Sequence, residues 1–128
     1  MLKVNLNKLS FIENEEQVDK LKKLIRLHNH RLMPHQVASN IGFTLNESIE
    51  LLYYLFHKKA ADLFILVYHV DHLDAPIEAR PYTNPFPQIP HECEVCEKVI
   101  IDKNDLVYDI LFRFSNDLEI LYGIHDAL

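Results

Sequence analysis

Glycine is nearly absent from this chain. Gly42 and Gly123 are the only two in 128 residues, which excludes the Gly-rich loops that cradle nucleotide phosphates. Cysteine is as scarce, with Cys93 and Cys96 alone, and that excludes a disulfide framework. Hydrophobic residues make up 48% of the chain, enough to bury a core without such staples. No apolar run approaches the ~20 residues of a membrane span, so no membrane partner is expected. The opening MLKVNLNKLS has no apolar stretch like that of a secretory signal. Two cysteines and no signal point to a reducing, cytoplasmic compartment. Catalytic spacing is lacking too. Eight histidines and many carboxylates form no acid–base or nucleophile pattern, and an enzyme is not expected.

The charge that is present is unevenly spread. Residues 1–60 carry nine Lys/Arg and six Asp/Glu, whereas residues 61–128 carry four and thirteen, giving +3 and −9 within a net −6. An acidic half repels phosphate, so any nucleic-acid contact belongs to the first half. The candidates there are Lys22, Lys23, Arg26, Arg31, Asn46, Lys58 and Lys59. A solvated helix face is the commoner use of such lysines.

Residues 2–6 alternate apolar and polar, as a short strand does. A helix is expected after Asn14, its cap, with Gln17 reaching back in a capping box. Val18, Leu21, Leu24 and Ile25 form its apolar face. Pro34 suits the first turn of a short second helix, and Gly42 the left-handed residue that ends it. Thr44 and Glu47 form a capping box for a third helix, with Ile49, Leu52, Tyr53 and Phe56 as its core stripe. The run DLFILVYHV reads as a strand. Residues 71–90 hold five of the six prolines and no glycine, the composition of a stiff extended loop. KVII and DLVYDILFRF read as strands, and SNDLEILYG as a short terminal helix.

Helix, short helix, glycine turn, longer helix and strand is the order of a winged helix-turn-helix. Residues 14–70 resemble that superfamily, with Ala38, Gly42, Ile49 and Leu52 at its small, turn and core positions. The resemblance implies an α+β fold with a winged-helix-like domain over residues 1–70. Residues 71–128 would follow as a proline-rich loop with a small β unit. It implies either DNA binding or protein assembly.

Cys93-x-x-Cys96 is one knuckle of a possible four-ligand zinc site, and His69-x-x-His72 offers a second at matching spacing. His91 is a spare candidate. Glu92, Glu94, Glu97, Asp71 and Asp74 would favour a cation nearby. The layout is similar to a winged helix followed by a zinc-ribbon-like tail, as in small bacterial regulatory or defence-associated proteins. Two positions depart from a ribbon. Glu97 stands where glycine usually follows the second cysteine, and histidines replace the first cysteine pair. The alternative is that the cysteines are small buried hydrophobes and the histidines ordinary strand-end residues. A redox pair is a third reading, disfavoured by the glutamates that flank the thiols.

The third helix carries more apolar residues than one face needs. Leu45, Leu51, Tyr54 and Leu55 lie off the expected stripe and pack either against the C-terminal strand of the same chain or on a partner or second copy, for which they are the candidates. Asn46, Glu47, Ser48 and Glu50 lead this helix, and two carboxylates there disfavour a DNA groove. The expected function is therefore a non-catalytic winged-helix module for protein–protein interaction or self-association. A DNA-binding regulator using the basic half, and a metal- or redox-responsive switch, are the alternatives.

Overall fold

The computed structural model describes residues 2–123. Within them the chain forms three α-helices and eight strands, an α+β arrangement. It divides into two compact units. The first is built from the chain up to Asp62 and from Phe112 onward, the second from Leu63–Leu111. This division differs from a boundary at residue 70, because the two longest strands each pass from one unit to the other.

In the first unit, β1 (Leu2–Asn5) precedes α1 (Glu15–Leu27). The Asn14 side chain accepts from the Gln17 N–H at 3.0 Å, capping α1. Gln17 reaches back as expected, but to the N–H of Glu13 at 2.7 Å, one residue beyond the cap. Val18, Leu21, Leu24 and Ile25 are buried. Asn29 and His30 then take left-handed backbone angles (φ 56° and 65°) and lead into β2 (Arg31–Leu32). Helix α2 (Pro34–Ile41) ends at Gly42, whose φ is 94° and whose N–H bonds to the Ala38 carbonyl at 3.1 Å. A Cβ at Gly42 would meet nothing within 4 Å, so conformation alone calls for glycine there.

Helix α3 (Leu45–His57) starts with the expected reciprocal box. Thr44 Oγ1 accepts from the Glu47 N–H at 3.0 Å, and Glu47 accepts from the Thr44 N–H at 2.9 Å. Its buried side is Ser48, Leu51, Leu52 and Leu55. That is roughly a quarter turn away from the Ile49/Leu52/Tyr53/Phe56 stripe. Ser48 is tolerated inside because its hydroxyl donates to the Thr44 carbonyl at 2.8 Å. Leu6, Leu21, Leu32, Val37, Leu51, Leu52, Leu55 and Phe112 are almost completely buried. Burying each such side chain contributes about 1.5–3 kcal/mol.

Two nine-residue strands follow, β3 (Ala61–His69) and β7 (Leu106–Phe114). Between them in sequence lie β4 (Glu78–Pro81), β5 (His91–Glu92) and β6 (Val99–Ile100). The four-stranded sheet has the order β2-β7-β3-β4. β2 pairs antiparallel with β7 through Arg31↔Arg113 and Leu32↔Phe112. β4 pairs antiparallel with β3, so part of the proline-rich segment is ladder rather than loop.

The segment read as a terminal helix is instead a strand, β8 (Leu118–Leu121), paired parallel with β1 from Leu2↔Leu118 to Asn5↔Leu121. Ser115 and Asp117 close the turn before β8, the serine hydroxyl donating to the carboxylate. Four strand residues then find a ready edge in β1, whereas a helix this short has no nucleus of its own.

In the second unit, Val67, Ile77, Cys93, Ile100 and Leu106 form the buried cluster, with Ile89, Cys96 and Tyr108 against it. Cys93 thus occupies a core position in a small unit.

Candidate metal centre

Four ligand-bearing side chains meet inside the second unit. His69 is the last residue of β3, and Val70 is tied to the Asp105 carbonyl at 2.9 Å, which fixes that strand end. A turn follows in which the His72 N–H bonds to the His69 carbonyl at 2.8 Å, bringing the two imidazoles to 5.7 Å between centroids. Cys93 and Cys96 sit on the link between β5 and β6. There the Cys93 N–H bonds to Lys98 O at 2.8 Å, and the Glu97 N–H bonds to Cys93 O at 2.7 Å. Glu97 has φ 66°, so a glutamate supplies the left-handed turn that glycine usually makes.

The ligand atoms of His69, His72, Cys93 and Cys96 all lie within 4.8 Å of one another, a set that could hold a metal ion. Cys96 Sγ is 3.5 Å from His69 Nδ1. His72 Nε2 is buried without a hydrogen-bond partner. An unmet buried group of this kind costs about 1–3 kcal/mol, and a bound cation would remove that cost. Cys93 is fully buried, His69 nearly so, and Cys96 and His72 are half-buried.

The electrostatics favour a cation here. Burial pushes the Cys93 thiol up. Backbone N–H groups of Cys96 and Val95 and the Cys96 side chain bond to its sulfur, however, and hold it below the usual thiol range. These donors stabilise the thiolate, the form that binds a metal. On the far side of His69, Nε2 lies 3.7 Å from Asp71, which pairs with Lys98 at 3.1 Å. The Lys98 hydrogen bond, and then its charge, hold the Asp71 carboxyl below its ordinary range; the same contact raises Lys98. Asp71 thus faces the imidazole nitrogen turned away from the cluster, where a carboxylate orients a ligating histidine. The x-x spacing pointed to the four ligands, but the Asp71–Lys98 support depends on a 27-residue separation with no local signal. His91 lies in β5 opposite Ile100 and outside the cluster.

The other candidate residues divide. Leu51 and Leu55 are fully buried, which corrects their expected place on a partner surface. Tyr54 is half-buried and donates its hydroxyl to the Asn5 carbonyl at 3.0 Å. The large apolar side chains left outward on α3 are Leu45, Ile49 and Tyr53, exposed by 53%, 37% and 46%. Lys22, Arg26, Arg31 and Lys59 line two adjoining clefts of the first unit, joined there by His30 and Arg113, which carry no local sequence signal for such a role. Lys23 and Asn46 line neither cleft, and Lys58 lies over the Tyr54 ring at 5.5 Å from its centroid. Among the described residues, no helix is long and apolar enough to cross a membrane. Comparison with protein families, curated proteins and solved structures finds no match to this chain.

Proposed function

We propose that the chain is a non-catalytic winged-helix module, braced by a structural zinc ion, that uses α3 to bind a protein partner or a second copy of itself. The observation that carries the binding reading is the outward face of α3. Leu45, Ile49 and Tyr53 are exposed where a DNA-reading helix would offer polar groups, and Glu50 stands among them, also exposed. The winged-helix reading is supported by the order α1-β2-α2-α3-β3-β7 and by the strand order β2-β7-β3.

Zinc suits the donor set. Two imidazoles and two soft thiolates match a borderline-soft cation. Tetrahedral bonds of about 2.0–2.3 Å separate ligand atoms by about 3.3–3.8 Å, near the 3.5 Å between Cys96 Sγ and His69 Nδ1. His69, His72, Cys93 and Cys96 would fill all four positions, leaving none open for substrate, which is the pattern of a structural site.

Untagged protein tests both parts. Elemental analysis should find one zinc per chain. Light scattering together with photocrosslinking from position 49 in the native cell should find a dimer or a crosslinked partner, and Ile49→Glu should abolish either. Protein without metal would remove the brace. A monomer with no crosslink would remove the binding role.

A further inference from the structure

We propose that the first unit binds the phosphodiester backbone of single-stranded nucleic acid in two adjoining clefts. They are lined by Lys22, Arg26, His30, Arg31, Lys59 and Arg113. The larger cleft has a volume of about 620 Å³ and the smaller about 290 Å³, and they share His30, Ser115 and Asn116. The site is distinct from the outward face of α3 and from the His/Cys cluster.

The clefts run against the charge of the chain as a whole. The chain is −6 overall, yet the clefts gather five Lys/Arg side chains against two acids, Asp62 and Glu119. Among the described residues, Lys22, Arg26, Arg31 and Lys59 have no carboxylate within ion-pair distance. Asp62 is already engaged with Arg113 at 3.1 Å.

Arg31 and Arg113 are direct cross-strand partners. The Phe114 N–H bonds to the His30 carbonyl at 2.8 Å, which makes 30/114 the hydrogen-bonded pair. Arg31/Arg113 is then the closer, non-hydrogen-bonded kind, with Cα atoms ~4.5 Å apart. Like charges directly opposite destabilise a sheet. Asp62 pairs with Arg113 alone of the two, and a phosphate between the guanidinium groups would give charge-assisted bonds to both.

Two clefts in series, each with its own cations, fit successive phosphates of one strand. Asn29 and Asn116 add neutral groups able to reach phosphate or sugar. Volumes of this order are those of small-molecule sites and suit one extended strand better than a duplex.

Fluorescence anisotropy tests the assignment, using single-stranded DNA and RNA of roughly 20 nucleotides, the matching duplex, and inorganic phosphate as probes. The single strands should bind at about 50 mM salt, with a log–log salt slope of about −3 to −4 for four to six neutralised phosphates. Arg31→Glu and Arg26→Glu should each weaken binding at least tenfold and flatten the slope. Lys3→Glu, outside the clefts, should change neither, and circular dichroism should report an unchanged fold for all three. Four results would overturn the proposal. They are no strand binding at that salt, equal binding by Arg31→Glu, preference for the duplex, or inorganic phosphate competing as well as a strand of equal phosphate content.

Discussion

Replacing Glu97 by glycine should tighten zinc binding, although it removes a negative charge from the neighbourhood of a cation. Glu97 follows the second cysteine with φ 66° and an exposed side chain. Holding a residue with a Cβ in the left-handed region costs about 1–2 kcal/mol. Glycine removes that cost but gives the unfolded chain extra freedom worth about 0.4–1 kcal/mol. The Glu97 N–H to Cys93 O bond survives the change, because it belongs to the backbone. For a knuckle that forms only as the ion binds, the difference of about 0.5–1 kcal/mol appears as two- to fivefold in affinity. Glu97→Ala is the matched control, since it loses the same charge and keeps the Cβ. Competition against a chromophoric zinc chelator reads both variants on one scale. If Glu97→Gly binds zinc no more tightly than Glu97→Ala, the knuckle does not depend on the left-handed turn and the reasoning fails.

Three further outcomes are expected. Leu52→Ala, at a fully buried position facing the first-unit core, should cost about 2–5 kcal/mol in urea unfolding. Thr44→Ala should cost about 1 kcal/mol. Adding Glu47→Ala should cost less than the sum of the two single changes, because both residues serve one box. Ser115→Ala should destabilise at neutral pH. The Ser115 hydroxyl holds the Asp117 carboxyl below its ordinary range, so its stabilisation is present above the unfolded pKa of about 4 and is lost as pH falls through the lower folded value. The gap between wild type and Ser115→Ala in denaturation midpoints should close as pH falls below about 4.

Local signals were legible where the chemistry is local. Asn14, Pro34, Gly42 and the Thr44–Glu47 box each act within four residues, and each stands where the pattern put it. The face of α3 was less legible, since leucine, isoleucine and tyrosine satisfy an apolar stripe equally well on either side of a helix. Ser48, the buried polar residue that marks the true inner face, reads as a solvent residue by type. The parallel β1–β8 pair was not legible, because its partners are more than a hundred residues apart and its turn uses the residue types of a helix cap. Matching x-x spacings gave the cluster of His69, His72, Cys93 and Cys96. The paired arginines at 31 and 113 became visible only through strand register, because Arg113 lies in the acidic half.

The pairing of β1 with β8 has a consequence for synthesis. Residues 2–5 have their partner at residues 118–121. A ribosome adding ~5–20 residues per second needs roughly 6–25 s to bridge that interval. For that time the β1 edge has no strand of its own chain to receive it, while the helices behind it have already emerged. Until then this edge stands unpaired in the growing chain, open to a strand from elsewhere.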